Sequence, residues 1–362
     1  MFSKNKKKRK ILLTGGGTGG SVTPLLTVMD KLQETGDEYD FLWLGSRRGV
    51  EKNLVEERGV EFQSIPAGKL RRYFSFANFV DPFKIMIGFF RSLFIILKQK
   101  PDLIMSAGSF VSVPAVWAGW ICRVPVVIHQ QDVRPGLANK LMAPFADKIT
   151  VTFERSLNDY GPKAVWTGNP VKASPKEEGV PFNFADDLPV VLAVGGGTGS
   201  LALNRLIEES IDDLLKICQV IHITGKNRQQ SKNLKKKKGY YRYSFLKHSD
   251  ILKAVKRADI VVSRAGLGFL TEISYNKKPA ILIPMPDSHQ EDNARLFGEN
   301  GAGIVLDQNK ITAKDLAKEI KELINDKKMR DRLSANVGKM IKKNGTENVV
   351  KIVKKLIWIY PN

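Results

Sequence analysis

Short, continuous apolar runs alternate with amphipathic stretches along the chain. Ile11–Leu13 reads as a buried strand; a glycine loop follows, then a helix from Pro24 to about Gln33 that Gly36 stops. The same alternation predicts strands at Phe41–Leu44, Leu103–Met105, Val126–Ile128 and Ile149–Thr152, with a helix near Glu51–Arg58 and further helical segments between them. Strands that are apolar throughout, rather than at every second position, are covered on both faces, which means a parallel sheet between helical layers. The polar, proline-bearing stretch KASPKEEGVPFNFADD at 172–187 has no period and suits a linker. Alternation resumes with Val190–Val194 and with strands near Ile221–Thr224, Ile260–Ser263, Ile281–Pro284 and Ile304–Leu306. The pattern predicts an α/β protein of two Rossmann-like, doubly wound domains, 1–170 and 188–345, joined by a linker over 171–187. A last helix, Glu347–Tyr360 within a 346–362 tail, is placed to pack back on the N-terminal domain.

Composition narrows the class. A length of 362 residues allows about two domains with real cores. Two cysteines, Cys122 and Cys218, exclude a disulfide scaffold or a cysteine-built zinc site and suit a reducing compartment. The four histidines lack metal-ligand spacing, so no metal and no cofactor is expected. The basic start runs into a strand and a glycine loop rather than a cleavable leader. The most apolar segment, Phe79–Leu97, carries Asp81, Pro82, Lys84 and Arg91, too many interruptions for a membrane span.

Charge adds a direction. Lys plus Arg (58) less Asp plus Glu (37) gives +21, and Lys4, Lys6, Lys7, Lys8, Arg9 and Lys10 crowd the start. Such an excess either attracts polyanions or serves solubility alone. A nucleic-acid partner is disfavoured, since no recognised nucleic-acid motif is present and the basic residues are dispersed.

GGGTGGS at 15–21 and GGGTGS at 195–200 each follow an apolar strand and open a helix. A glycine loop there aims backbone N–H groups at an anion. Gly15, Gly17 and Gly20 satisfy the dinucleotide spacing, yet the next strand ends in Leu44-Gly45-Ser46-Arg47 without a carboxylate for a ribose. Ser21 and Ser200 stand where an NTPase loop needs lysine. Phosphate or pyrophosphate binding is supported; the chemistry is not named. Further on, Ser263-Arg264-Ala265-Gly266 closes a strand before a helix carrying Thr271 and Glu272. A carboxylate there can accept two hydrogen bonds from a vicinal diol such as a ribose, or merely favour a helix start. Past Pro284-Met285-Pro286, the run Asp287–Asn293 places amides and an imidazole where open α/β sheets bind ligands, or is an ordinary polar loop.

Taken together these blocks resemble the MurG family, N-acetylglucosaminyltransferases of bacterial peptidoglycan synthesis and cell-wall biogenesis. The resemblance runs from about Lys10 to Ile320: GGGTGGSVTP, WLGS at 43–46, SAGSFVSVPAVWAG at 106–119, PVVIHQQD at 125–132, GNPVK at 168–172, VGGGTGS, the SRAG and TEI block and HQEDN, in that order. It implies a GT-B fold of two domains facing a cleft. The C-terminal domain would bind UDP-N-acetylglucosamine, and the N-terminal domain would receive an undecaprenyl-diphosphate-linked muramyl peptide. It further implies inverting transfer at the cytoplasmic face of the membrane, with the protein held there peripherally. By position, Thr18, Gly19 and Gly20 line the first loop, Asp132 and Lys172 contact donor, Gly197 lies at the diphosphate and Leu246 at the uracil. Leu267, Gly268, Phe269, Leu270, Thr271 and Glu272 form the nucleotide helix start with Glu272 on the ribose, while Gln290 and Asn293 face the sugar or diphosphate.

Four blocks depart from the family. Ser21 replaces the usual histidine, HQQD at 129–132 replaces HEQN, Lys172 replaces an arginine, and Gly197 falls in GGG rather than GGS. Ser21 and Asp132 are the candidate catalytic groups, Asp132 the better base because a carboxylate replaces a neutral amide. Phe74, Phe76, Phe79, Phe83, Ile85, Met86, Ile87, Phe89 and Phe90, interleaved with Lys69, Arg71, Arg72, Lys84 and Arg91, suit contact with an anionic membrane or a core helix with a basic edge. Alternatives within reach are a same-fold transferase for another lipid-linked or glycolipid acceptor, and a non-catalytic binder of nucleotide sugar.

Overall fold

The computed structural model describes residues 8–17, 19–47, 49, 51–68, 77–172, 184, 188–196, 199–226 and 237–359. The chain forms two compact units, one running to Lys172 and completed by 342–362, the other spanning 173–341. The tail therefore leaves the second unit after Ile341 rather than at 345.

The first unit contains β1 (Arg9–Thr14), α1 (Thr23–Gln33), β2 (Tyr39–Gly45), α2 (Glu51–Glu56), β3 (Glu61–Ser64), α3 (Ala77–Gln99), β4 (Leu103–Ser106), α4 (Ser112–Ile121), β5 (Val126–Gln130), α5 (Leu137–Met142), β6 (Lys148–Val151) and β7 (Ala164–Trp166). Its strands are parallel in the order β3-β2-β1-β4-β5-β6-β7. The period of two divides the core into two layers. Ile11 and Leu13 of β1 pack with Leu25, Val28 and Leu32 of α1 on one face, while Leu12 packs with Ile95, Ile96 and Val116 of α3 and α4 on the other. Both faces are covered, which is why the strands read as unbroken apolar runs.

In the second unit, the order is β8 (Val190–Val194), α6 (Leu201–Leu214), β9 (Gln219–Ile223), β10 (Tyr240–Tyr243), α7 (His248–Arg257), β11 (Ile260–Ser263), α8 (Leu267–Tyr275), β12 (Ala280–Leu282), α9 (His289–Glu299), β13 (Ile304–Val305), α10 (Ala313–Asn325) and α11 (Lys327–Met340). Its sheet, also parallel, has the order β10-β9-β8-β11-β12-β13. Thr312 caps α10 with a reciprocal Asp315 box, and Ser200 caps α6, so these helix starts are fixed by side chains.

The last helix, α12 (Gly345–Ile359), belongs to the first unit. Val349, Val353, Leu356 and Ile357 join the core layer of β1 and α1. The returning chain is laced to the segment that follows β7. Val171 N–H donates to Thr346 Oγ1 at 3.2 Å, Thr346 Oγ1 donates to the Val171 carbonyl at 2.9 Å, and Asn348 Nδ2 donates to the Thr167 carbonyl at 2.9 Å. Gly168, at φ +81°, has no room for a Cβ because the Lys342 carbonyl lies against it.

Each unit buries a neutral histidine. His129 is held at 2.9 Å by Thr150 Oγ1 and at 3.3 Å by Asn169 Oδ1, and burial lowers its pKa to about 4. His222, between Tyr240 OH at 2.8 Å and Asn204 Oδ1 at 3.1 Å, is lowered to about 3, chiefly by burial and also by Arg242. A lowered folded pKa means stability is complete above the ordinary value of 6.5 and drains away as pH falls. The His222→Gln variant should be less stable at neutral pH but lose on the order of 1.4 kcal/mol less per pH unit of acidification below that value. Urea midpoints across that range measure the slope, and a slope unchanged from wild type would refute the assignment.

Candidate functional site

In each sheet the strand order reverses once, between β1 and β4 and between β8 and β11. Helices leaving the two strands go to opposite faces there, opening a crevice at the carboxyl edge. Both glycine loops lie at these points.

In the first unit the loop after β1 wraps a carboxylate of the protein itself. Glu51, fully buried, accepts from Gly17 N–H at 3.0 Å, from Ser46 N–H at 2.8 Å and from the Ser46 hydroxyl. A Cβ on Gly16 or Gly49 would collide with that carboxylate, which explains both glycines. An anion thus fills the inner part of the cradle, and the sequence pattern, which placed Glu51 only at a helix start, did not reveal it. Gly19 and Gly20 form a short 3-10 turn with Ser21, and Ser21 Oγ donates to the Gly16 carbonyl at 2.9 Å. Thr18 lies outside the described residues. Beside the loop, Gly108 and Ser109 have φ of +91° and +99°, and for a serine the latter is a strained conformation.

Across the carboxyl end of β5 the HQQD run divides by depth. His129 and Gln130 are buried. Gln130 Nε2 donates to the carbonyls of Asp132 and Arg134 at 2.7 and 3.0 Å, while its Oε1 accepts from Asn139 at 2.6 Å and Tyr160 at 2.8 Å. Asp132 is the half-exposed end of the run, on a turn tied down by Gln130. Lys172 does not stand at the loop: its Nζ pairs at 3.3 Å with Asp30, in the third turn of α1, which also holds Arg58 at 3.1 Å.

The second unit is organised around Arg264. Its buried guanidinium donates to Ser200 Oγ at 3.0 and 2.6 Å, to the carbonyls of Ile283 and Pro284 at 3.0 and 2.9 Å, and to Gln308. Burial lowers its pKa. One side chain therefore ties the second glycine loop to the end of β12, a role hidden in the sequence because the partners are main-chain atoms and uncharged groups. Gly197 lies outside the described residues.

Of the residues opening α8, Leu267, Leu270 and Thr271 are buried, Phe269 is half-buried and Gly268 is exposed, so the ligand-accessible surface there is mainly backbone. Glu272 is the sixth residue of α8, too far along to act as a helix-start anion. Its side chain is 13% exposed and its Oε2 is buried without a hydrogen-bond partner, while Oε1 lies 3.4 Å from His248 Nδ1. Burial pushes its pKa up to about 8. Leu246, half-buried, lies two residues before His248 and so on the same flank. Gln290 is half-buried, its Oε1 accepting from Met285 N–H at 3.1 Å. Asn293, expected to face the sugar or diphosphate, is fully buried, and its Nδ2 donates to the Ala265 carbonyl at 3.1 Å, which shapes the loop after β11.

The apolar segment of the first unit is the long helix α3. Phe83, Met86, Ile87, Phe90, Phe94 and Leu97 form an outward stripe at helical spacing, each more than half exposed, and Trp120 and Ile121 at the end of α4 are equally bare. Phe89 packs against the core instead, Ile85 is half-buried, and Lys84 and Arg91 are exposed. Lys69, Arg71, Arg72, Phe74 and Phe76 lie outside the described residues, as does the side chain of Phe79.

Comparison with known proteins covers nearly the whole chain. The glycosyltransferase family 28 N-terminal domain matches residues 11–151 and the family 28 C-terminal domain matches 190–351. The chain is 37% identical over 358 residues to the UDP-N-acetylglucosamine–N-acetylmuramyl-(pentapeptide) pyrophosphoryl-undecaprenol N-acetylglucosamine transferase of Clostridium tetani, covering 96% of this chain and 98% of that protein. With the same-named protein of Clostridium botulinum it shares 36% over 357 residues, covering 96% and 99%. Among solved structures it is similar to Acinetobacter baumannii MurG, with a TM-score of 0.78 at 23% identity over 96% of this chain and 99% of that one. The fold is GT-B.

Glu272 carries a stability signature. A carboxyl whose folded pKa is raised contributes stability at low pH that is lost as pH climbs from 4.5 through about 8. Glu272→Gln should therefore unfold about 1–3 kcal/mol harder than wild type at pH ~8, with no gain at pH ~4. Denaturant melts at the two pH values decide it, and equal midpoints at the higher pH would overturn the burial argument.

Proposed function

Because the chain belongs to glycosyltransferase family 28, we infer that it moves N-acetylglucosamine from UDP-N-acetylglucosamine to a lipid-diphosphate-linked N-acetylmuramyl-pentapeptide, the step from lipid I to lipid II in peptidoglycan synthesis. The observation that carries this is likeness over 96% of the chain to enzymes named for that transfer. In this reading the second unit holds the nucleotide. Glu272, with its buried unpartnered oxygen, accepts from the ribose hydroxyls; Leu246 borders the base; the amides at Leu267–Phe269 and the loop at 195–200 face the diphosphate, with Gly197 in that loop and Gln290 beside it. Leu270, Thr271 and Asn293 shape these loops from beneath.

The first unit receives the acceptor, with Thr18, Gly19 and Gly20 in the loop that borders it. The acceptor hydroxyl oxygen attacks the anomeric carbon opposite UDP, the bond from that carbon to the diphosphate oxygen breaks, and its electron pair leaves with UDP. The hydroxyl proton goes to Asp132, whose turn is anchored by Gln130. Ser21 serves to hold the loop, since its own proton is committed to the Gly16 carbonyl. Lys172, paired with Asp30, is a reserve cation rather than a fixed phosphate ligand.

No helix among the described residues is long and apolar enough to cross a membrane. The stripe on α3 with Trp120 and Ile121 supports peripheral docking on an anionic, cytoplasmic membrane surface. As a crossover helix, α3 runs antiparallel to the strands, so Phe83 and Ile87 lie nearer the carboxyl edge that holds the glycine loop.

Two measurements test these assignments. Radiolabel transfer from UDP-N-acetylglucosamine to muramyl-pentapeptide diphospholipid should fall about 10²–10⁴-fold in kcat for Asp132→Asn, with the donor KM nearly unchanged. Full activity in that variant would remove Asp132 as base, and no transfer by wild type would point to another acceptor. Sedimentation with anionic vesicles at low salt should capture the wild type, and Phe90→Asp with Phe94→Asp should weaken capture on the order of tenfold or more. Equal capture would take the stripe out of the docking surface.

A further inference from the structure

We propose that His248 is a positioning residue of the donor site, receiving the proton that Glu272 gives up when a ribose diol binds, so that donor binding shifts a proton within the pair and releases none to water. This rests on the reading of Glu272 as the ribose carboxylate.

The geometry has three parts. First, His248 opens α7 and places Nδ1 3.4 Å from Glu272 Oε1, within ion-pair reach. Second, the two groups differ in solvation: the His248 side chain is 51% exposed and can be hydrated as a cation, whereas Glu272 is 13% exposed. Third, Oε2 of Glu272 is sealed from water with no partner. A buried carboxylate in that state is costly until a ligand donates to it.

Burial pushes the Glu272 pKa to about 8, so near neutrality the free site holds a proton. A protonated carboxyl has lost acceptor capacity and cannot take both diol hydrogens as well as an anion can. The other charged groups on neighbouring elements are engaged elsewhere. On α7, Asp250 and Lys253 face each other at 3.8 Å, and Arg257 pairs with Asp259 at 3.8 Å. At the far end of α8, Lys277 lies against Gly338 of α11 and its carbonyl accepts from Ser334, while Lys278 donates to the Lys256 carbonyl. Desolvation is the cause of the Glu272 shift, and none of these charges contributes. Among the described residues, His248 is the titratable side chain paired with the carboxylate.

The step balances without an outside acid or base. The proton leaves the Glu272 carboxyl and binds the Nδ1 lone pair of His248; the freed carboxylate accepts from the two ribose hydroxyls; the protein's proton count is unchanged. Remove the imidazole, and the same proton must go to solvent. Donor affinity then falls as pH drops below the carboxyl's pKa, about tenfold per unit for one proton.

Calorimetric titration of UDP-N-acetylglucosamine in buffers of differing ionisation enthalpy, at pH ~8 and pH ~7, reads this directly. Wild type should release close to no proton and change Kd less than about threefold between the two. His248→Asn and His248→Gln should each release about half a proton per donor at pH ~8, rising toward one at pH ~7, and weaken several-fold over that unit. A merely structural role would weaken binding equally at both pH values, and that result, or variants that behave as wild type, overturns the proposal. Glu272→Gln separates the two layers: donor binding as tight as wild type in that variant removes the ribose reading itself, whatever His248 does.

Discussion

Parallel strands cannot be joined by tight turns; each needs a crossover connection, most often a helix, to carry the chain back before the next strand begins. All the described strands of each sheet obey that constraint, so their carboxyl ends gather along one edge. Where the order reverses, between β1 and β4 and between β8 and β11, no crossover helix covers the gap. Both glycine loops lie at these points, and the functional groups collect around them. Both faces of each sheet are sealed by helices, so the edges are where polar chemistry can reach solvent without opening the core.

The reversal points concentrate buried ionisable groups, and the molecule treats three of them differently. Glu51 is satisfied completely, by two backbone N–H groups and a hydroxyl, so it serves as an internal anion that shapes the first loop. Arg264 spreads its donors over a serine, two carbonyls and an amide, so its charge is solvated by fixed dipoles that lock the second loop to β12. Glu272 is left incomplete, with one oxygen facing an imidazole and the other facing nothing. Satisfied groups hold a site in shape, and an unsatisfied one marks where a ligand has something to contribute.

Much of this frame is legible in the sequence because a doubly covered strand must be apolar throughout. Ile11–Leu13 and Val190–Val194 announce themselves in that way. The strands that escape notice lie toward the sheet edges. EFQS of β3 and YYRY of β10 are largely half-buried, so they keep polar residues and carry no apolar run. Leu246 and Asp132 are found by resemblance and Glu272 already by its place early in a helix, but their setting needs the fold: sequence does not say that Glu272 is sealed, that His248 stands across from it, or that Asn293 turns inward. Glu51 and Arg264 are invisible for a related reason, since their partners are main-chain and uncharged side-chain groups brought near only by the fold.

The HQQD run shows why depth, rather than residue type, decides what a polar group at a strand end can do. His129 has the right chemistry for a base, but it sits within β5, fully buried, with both ring nitrogens engaged and a pKa near 4 that keeps it neutral. Protonating it would place a charge in the core and break its contacts with Thr150 and Asn169, so it cannot exchange a proton with a substrate at ordinary pH. Gln130, one step further, spends its amide on the turn that follows. Only past the last strand residue does the chain reach solvent, and there it places a carboxylate on a turn whose backbone is already held from beneath. Strand residues thus supply rigidity, the first residues beyond supply chemistry, and the proposed division of labour between His129, Gln130 and Asp132 follows from where the strand stops.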